Sequence, residues 1–373
     1  MYKIPIQNIY YILCYAWDMG DLREKVNVDA EKCKNISNLL VHLLLNATDE
    51  LLRRGLSHGY SSHNSEADCI KGKIIISDTL KSMRYRIGKA WCNYDEYTSN
   101  ILLNQIIYSS LRDSIRIDGL STTNKDRLIK TLRQMPRIKS IRINDNTFNQ
   151  IKIHRNNVYY SFAINICKLL HKCLLPKDTS NGLIEFKNLL DDENAMNRIF
   201  ERFLLNFYKQ EFKDEFPKIS STQIQFKLTP FGMFFSNVTD DALSLLPIMK
   251  TDITLENPDT KKKIIIDAKY YKETLVTKYG DNPKLRRDHI SQILTYVINQ
   301  ESKKEDYTKE TKGIIVYPTV DINLDVSYRY KETKHLIQIS TINLNQDWKL
   351  IEKRLKEILV TYDLASAQKL VIS

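Results

Sequence analysis

The fold of this 373-residue chain is decided by two stretches, Lys250-Thr251-Asp252-Ile253-Thr254-Leu255 and Ile264-Ile265-Ile266-Asp267-Ala268-Lys269. The continuous β-branched run at the start of the second stretch is typical of a strand that is buried on both faces. Between the two stretches, Asn257-Pro258-Asp259-Thr260 has the composition of a turn. We therefore predict that the two strands form a hairpin. For the whole chain we predict a mixed α/β (α+β) fold.

Three charged side chains are expected to converge at one end of this hairpin. Residues two apart on a strand point to the same face, so Asp267 and Lys269 project together, and Asp252 on the neighbouring strand can meet them. Two carboxylates at the edge of an apolar sheet are unfavourable unless a cation neutralises them. All-oxygen ligation suits Mg²⁺ or Mn²⁺ better than zinc. The sequence therefore predicts a divalent metal site in which Lys269 orients or helps to deprotonate a water molecule.

A carboxylate two residues before a lysine is common in so charged a sequence and does not identify a site by itself. Pro258-Asp259-Thr260-Lys261 also has this spacing, but it falls in a polar turn. The Asp267 triplet follows an apolar strand and has a strand-borne aspartate upstream, which is the arrangement of a PD-(D/E)-x-K nuclease. The alternative is an edge hairpin that carries surface charges.

A helix pattern follows the hairpin at residues 288–297, where Gln292 and Tyr296 lie one turn apart on a single face. This pattern resembles the Q-x-x-x-Y helix that follows the active-site strands in RecB-like nucleases. The resemblance implies that Gln292 and Tyr296 face the metal site and DNA.

A second helix pattern precedes the hairpin at residues 196–208, and Glu201 lies amid its apolar face. An acid in that position is costly unless it is paired. Two interpretations stay open: Glu201 is a carboxylate of the site, or it pairs with Arg198 or Arg202.

Length favours two domains, since 373 residues exceed the usual size of one. We place the boundary between an amino-terminal mixed α/β domain, residues 1–155, and a nuclease-like domain, residues 156–373, where helix, hairpin, helix and strand follow one another. Within the first domain we expect a polar loop at residues 57–68 and a strand at residues 73–76.

The net charge of +11 favours a polyanionic partner. The densest basic stretch lies between residues 125 and 155. It could follow the phosphates of double-stranded DNA, or it could be a solvated helix face. Its candidate DNA-binding residues are Arg127, Lys130, Arg133, Arg137, Lys139 and Arg142.

Several classes of protein are disfavoured by what the sequence lacks. No apolar run approaches the roughly 18 residues of a membrane span, and no signal peptide begins the chain, so we expect a cytoplasmic location. The six cysteines contain no C-x-x-C pair and are expected to be reduced, with Cys167 and Cys173 packed in a helix. No phosphate-binding glycine loop is present. Any nucleotide hydrolysis must therefore belong to another chain.

Three blocks together resemble the McrC subunit of McrBC-type, modification-dependent restriction systems. They are residues 4–17, Ile-Pro-Ile-Gln-Asn-Ile-Tyr-Tyr-Ile-Leu-Cys-Tyr-Ala-Trp; residues 92–100, Cys-Asn-Tyr-Asp-Glu-Tyr-Thr-Ser-Asn, with Asn104; and the nuclease core of Asp252, Asp267 and Lys269. The position before the first aspartate, usually proline in this motif, is Thr251. The resemblance implies that the amino-terminal domain docks onto a hexameric AAA+ GTPase, McrB, and stimulates its GTP hydrolysis. GTP would then be bound through the partner only.

The resemblance also implies that the carboxy-terminal domain cuts DNA with Mg²⁺ or Mn²⁺, held by Asp252, Asp267 and the carbonyl of Ala268. Glu201, Gln292 and Tyr296 are further candidate residues of the site. Two alternatives stay open, a stand-alone RecB-like repair nuclease and a non-cutting subunit that only activates a partner NTPase.

Overall fold

The structure, a computed structural model, describes residues 4–18, 35–176, 184–186, 192–228, 244–270, 275–276, 284–319, 324–330 and 333–360. It divides into two compact units. Residues 31–188 form one, here called the inserted unit, and residues 1–30 together with 189–373 form the other, the discontinuous unit. Both contain helices and strands, so the mixed α/β class is confirmed.

The described helices are α1 (Ile6–Ala16), α2 (Ile36–Arg54), α3 (Ile76–Lys81), α4 (Leu102–Ser114), α5 (Thr122–Gln134), α6 (Asp145–Asn149), α7 (Ser161–Cys173), α8 (Glu193–Glu211), α9 (Arg287–Asn299) and α10 (Trp348–Val360). The described strands are β1 (Gly59–Ala67), β2 (Lys73–Ile74), β3 (Ala90–Thr98), β4 (Leu174–Pro176), β5 (Ile184–Phe186), β6 (Lys218–Ser220), β7 (Gln223–Ile224), β8 (Met249–Lys250), β9 (Ile253–Asn257), β10 (Lys262–Ala268), β11 (Leu275–Val276), β12 (Lys284–Leu285), β13 (Lys312–Thr319), β14 (Asp325–Arg329) and β15 (Leu336–Asn343).

A six-stranded sheet in the order β14-β15-β13-β10-β9-β6 is the centre of the discontinuous unit. β9 and β10 pair antiparallel, with Ile253 opposite Ile266, so the predicted hairpin is confirmed. On its other side, β10 pairs parallel with β13. Its position inside the sheet explains why its apolar run is continuous, because both of its faces are covered.

Helix α9 packs closely on one face of this sheet. Its residues Ile293 and Val297 share a core with Ile265 and Ile315 of β10 and β13. At Gly313 a Cβ atom would lie 2.7 Å from Cγ1 of Ile293, so only glycine allows this approach of helix to strand. This contact fixes the helix that carries Gln292 and Tyr296 against the strand that carries Asp267.

The first helix belongs to the discontinuous unit although it begins the chain. The ring of Tyr15 packs against Phe203 and Phe207 of α8, and Nδ2 of Asn206 donates to the carbonyl of Tyr15 at 2.9 Å. Helix α7 packs instead against α2 and α4 of the inserted unit. The limits of the compact units therefore differ from the single predicted boundary at 155/156. The reason is that helix packing joins residues that are distant in sequence.

The inserted unit holds a three-stranded antiparallel sheet in the order β1-β3-β2. The prediction of a polar loop at residues 57–68 is wrong, because β1 pairs with β3 over its whole length. β1 has no buried residue, so its sequence shows no apolar alternation. The strand predicted at residues 73–76 ends at Ile74, and helix α3 begins at Ile76.

Cys167 and Cys173 are buried in α7 and form no disulfide, in agreement with the prediction of core packing. Cys14, Cys69 and Cys92 also form no disulfide among the described residues, and Cys33 lies outside those residues. None of the helices in the described ranges has the length and apolar character that a membrane crossing requires.

Candidate metal centre and active site

The hairpin brings Asp252 and Asp267 together at one end of β10. Asp252 directly precedes β9, and its Oδ2 accepts a hydrogen bond from the backbone N–H of Ala268 at 2.8 Å. Asp267 is the penultimate residue of β10, and its side chain is 0% exposed. The predicted convergence of the two carboxylates is therefore what the structure contains.

Lys269 completes the charged cluster. Its Nζ lies 3.0 Å from Oδ2 of Asp267, and its side chain is 13% exposed. Burial on its own lowers the pKa of Lys269, but the attraction of Asp267 and Asp252 outweighs burial, so the pKa lies above its ordinary value. The side chain is therefore an ammonium at neutral pH, which suits orienting a water molecule better than deprotonating it.

The surroundings of Asp252 and Asp267 disfavour the charged form of both carboxyl groups. Burial raises the pKa of Asp267 to about 7 against the attraction of Lys269, and the nearby Asp252 carboxylate adds to the rise. Burial also raises the pKa of Asp252, although the Ala268 N–H and Lys269 oppose it. Within the described part of the chain, neither oxygen of Asp267 accepts a well-oriented hydrogen bond. A divalent cation would relieve both costs.

Glu201 of α8 belongs to the same electrostatic cluster. Burial raises its pKa to about 7, and the Asp252 carboxylate is the next largest cause. Among the described residues no ion pair joins Glu201 to Arg198 or Arg202, which are exposed and only weaken the rise. Burial and the Asp252 carboxylate therefore act on Glu201 more strongly than the two arginines do, and its role in the site stays a prediction.

Gln292 and Tyr296 connect α9 to the strand that leads into Asp252. Nε2 of Gln292 donates to the hydroxyl of Tyr296 at 2.7 Å, and that hydroxyl donates to the carbonyl of Lys250 at 3.0 Å. The Tyr296 side chain is buried. In this arrangement the tyrosine positions the backbone beside Asp252, and Gln292 is the more accessible member of the pair.

Thr251 stands where the motif usually has proline, and its side chain anchors the backbone instead. Its Oγ1 accepts from the N–H of Thr222 at 2.9 Å and lies 2.9 Å from the hydroxyl of Thr254. Its carbonyl accepts from the hydroxyl of Ser221. These contacts fix the residue before Asp252 by hydrogen bonding, where proline would fix it by restricting φ.

The sequence did not point to two further residues beside the cluster, Asn197 and His289. Asn197 donates to Oε1 of Glu201 at 2.5 Å. His289 is buried, and its Nδ1 lies 2.7 Å from the hydroxyl of Tyr317. Burial lowers the pKa of His289 to about 4, so its ring is neutral at pH 7. Neither residue carries a motif signal, because each is defined by a partner from another element.

The donor set fits Mg²⁺ or Mn²⁺. Among the described residues, no group of three or more His, Cys, Asp or Glu side chains is placed to hold a metal ion. Mg²⁺ is commonly bound by one or two carboxylates and keeps several waters. Asp252 and Asp267 are such a pair, and the carbonyl of Ala268, which follows Asp267 in the sequence, remains a predicted third ligand.

The candidate DNA-binding residues lie in the inserted unit and fall into two groups. Arg127 is engaged within the protein, since it pairs with Asp49 at 2.8 Å and donates to Asn46 at 3.0 Å. It is a poor candidate for phosphate contact. The remaining five are exposed: Lys130, Arg133, Arg137, Lys139 and Arg142.

We expect the stability of the metal-free chain to fall as the pH rises from about 4 to about 7. The pKa of Asp267 and of Glu201 is raised to about 7 in the folded state, so the folded state binds more protons than the unfolded state over this range. Thermal unfolding in EDTA and in Mg²⁺ measures the effect, and Mg²⁺ should raise Tm most at and above pH 7. A Tm in EDTA that rises steadily over this range would contradict the electrostatic description.

Comparisons with known proteins find a matching family, a similar sequence and a similar fold. The family described as McrBC 5-methylcytosine restriction system component matches residues 7–318. The chain is 29% identical over 359 residues to the type IV methyl-directed restriction enzyme EcoKMcrBC of Escherichia coli strain K12, covering 96% of this chain and 98% of that protein. A chain in the refined half-complex of Thermococcus gammatolerans McrB AAA+ hexamers with bound McrC has a similar fold, with a TM-score of 0.51 and 17% identity over 96% of this chain and 76% of that one.

Proposed function

This chain belongs to the McrBC 5-methylcytosine restriction system component family, as its resemblance to McrC predicted, and we propose that it is the Mg²⁺-dependent, DNA-cutting subunit of such a system. The observation that carries the proposal is the cluster of Asp252, Asp267 and Lys269 at the end of a buried hairpin. Its placement next to α8 and α9 is the one expected of a PD-(D/E)-x-K nuclease site and supports the proposal.

The residues of the cluster have separable roles in phosphodiester hydrolysis. Asp252 and Asp267 would hold the ion, whose chemistry is to lower the pKa of bound water and to neutralise charge on the attacked phosphate. The Lys269 ammonium, 3.0 Å from Asp267, orients the attacking water and donates to a phosphate oxygen. Glu201, with a pKa of about 7, is able to take up a proton at neutral pH. Tyr296 and Thr251 keep Asp252 in place through the backbone.

The partner in this proposal is an McrB-like AAA+ GTPase hexamer, which supplies nucleotide binding and the choice of DNA site. The solved Thermococcus gammatolerans assembly with a chain of similar fold contains McrB AAA+ hexamers with bound McrC, and this sequence has no phosphate-binding glycine loop of its own. Double-stranded DNA would be the substrate, with exposed lysine and arginine side chains giving salt-sensitive contacts to phosphates. Stimulation of the partner's GTP hydrolysis is part of the same proposal.

The buried cluster argues against one alternative, the non-cutting activator of an NTPase, and does not distinguish the other, the stand-alone RecB-like nuclease. A subunit that only activates an NTPase would have no use for two buried carboxylates whose charge is disfavoured, because replacing them with neutral residues would stabilise the fold. A stand-alone RecB-like nuclease would use the same cluster. It differs in cutting without a partner.

We expect the chain alone to cut little, and to cut methylated DNA only when its AAA+ partner and GTP are present. The reason is that recognition and nucleotide hydrolysis lie on the partner, while this chain contributes non-specific phosphate contacts. The measurement compares chain alone with chain plus partner on methylated and unmethylated DNA, with a non-hydrolysable GTP analogue as control. Efficient cleavage at defined sites by the chain alone would favour the stand-alone nuclease.

A further inference from the structure

Asn197 makes two hydrogen bonds that run in opposite directions from one side-chain amide. Its Nδ2 donates to Oε1 of Glu201 at 2.5 Å, and its Oδ1 accepts from the backbone N–H of Tyr270 at 2.8 Å. Glu201 lies one turn further along the same helix, α8. Tyr270 is the residue after Lys269. One amide therefore joins the helix carboxylate to the chain segment that carries the lysine.

The segment around Lys269 needs such a connection because β10 has already ended. The N–H of Lys269 donates to the carbonyl of Val316 at 3.0 Å. The next N–H, that of Tyr270, is directed to Asn197 instead. Tyr270 is also buried, with its ring edge-on to Phe200 of α8 at 6.1 Å. Lys269 is thus held between the sheet on one side and α8 on the other.

The carboxamide of Asn197 makes both bonds at once because it carries a donor and an acceptor. The Glu201 carboxylate accepts and the Tyr270 N–H donates, so the bridging group needs one donor and one acceptor. Alanine would provide neither. Aspartate would keep the acceptor but would place a second carboxylate against Glu201, where like charges repel.

We propose that Asn197 is a positioning residue of the active site, fixing the Glu201 carboxylate relative to Lys269 by bridging α8 to the end of β10. The inference rests on the proposed nuclease function for its kinetic consequence. Its structural consequence, protection of the Tyr270 amide, does not depend on cleavage. Asn197 itself touches neither DNA nor the attacking water in this role.

Asn197→Ala should lower kcat for DNA cleavage by the complex with partner and GTP by about tenfold to a hundredfold, because small displacements of positioned groups have effects of that size. KM for DNA and stimulation of GTP hydrolysis should be unchanged, since neither uses this bridge. Asn197→Asp should not restore kcat. Hydrogen exchange of the Tyr270 amide in the full chain should become faster in Asn197→Ala.

Asn206→Ala is the matched control, because Asn206 lies on the same helix and its amide donates to the carbonyls of Tyr15 and Ala16, away from the cluster. The two variants should lower Tm by similar amounts, but only Asn197→Ala should lower kcat. Cleavage within twofold of wild type, or unchanged exchange at Tyr270, would overturn the positioning role. A wild-type complex that does not cut would instead refute the proposed function, and the exchange measurement would then decide the role of Asn197 by itself.

Discussion

Asp267→Asn should abolish DNA cleavage and, at the same time, raise the thermal stability of the metal-free chain. Cleavage should fall by at least about a thousandfold, because the change removes an anionic ligand and with it several kcal/mol of metal-assisted stabilisation of the transition state. Stability should rise in EDTA at pH 7.5, because Asp267 is fully buried and burial disfavours its charge. An amide of nearly the same volume removes that cost.

Asp259→Asn is the control for this experiment. It makes the same substitution in Pro258-Asp259-Thr260-Lys261, the competing triplet, where Asp259 is exposed in a turn. It should leave both cleavage and Tm unchanged, and binding of the GTPase should be preserved in both variants. Cleavage by purified Asp267→Asn in Mg²⁺ at the wild-type rate would refute the assignment of the site.

The hairpin and its charged cluster could be predicted because their determinants are local. A run of β-branched residues, a turn and an aspartate before the first strand fix a register in which Ile253 faces Ile266. That register leaves Asp252 beside Ala268, at hydrogen-bonding distance. The fold class followed from the same alternation of helices and strands.

The division into compact units could not be predicted in this way, because it depends on packing between distant segments. The apolar pattern of helix α1 does not indicate which core buries it. Its Tyr15 packs against Phe203 and Phe207 of α8, nearly two hundred residues later. β1 was missed for another reason. Its side chains lack a buried face, and its strand conformation is imposed by pairing with β3 rather than by apolar periodicity.

For single polar residues, the sequence singled out some positions correctly and misjudged or missed others. Glu201 could be recognised as unusual from its apolar surroundings, but only the fold brings it near the Asp252 carboxylate, which adds to the rise of its pKa. Arg127 had the right charge for DNA, yet Asp49 and Asn46 already engage it. A count of charges along a sequence does not distinguish a paired arginine from an exposed one, and Asn197 has no charge to count.

Lys269→Ala should reduce cleavage by about a hundredfold to a thousandfold while leaving Mg²⁺ binding intact. The loss is expected because the ammonium acts on the water and the phosphate, and removing one such preorganised donor has an effect of this size. Mg²⁺ affinity above pH 7 should be equal or higher, since the variant removes a positive charge 3.0 Å from Asp267. Calorimetric titration with Mg²⁺ and a cleavage assay on the same preparation separate the two effects.

Lys263→Ala is the appropriate comparison for that variant, because Lys263 is a buried lysine of β10, the strand that ends just before Lys269. Its Nζ lies 3.8 Å from Oε1 of Glu256, away from the cluster. It should alter stability but not the rate of cleavage per folded molecule. If Lys269→Ala instead bound Mg²⁺ more than tenfold more weakly, Lys269 would be organising the carboxylates. Since its pKa lies above the ordinary value, the side chain stays cationic across the working pH range, and an ammonium that is always charged acts by orienting water and phosphate.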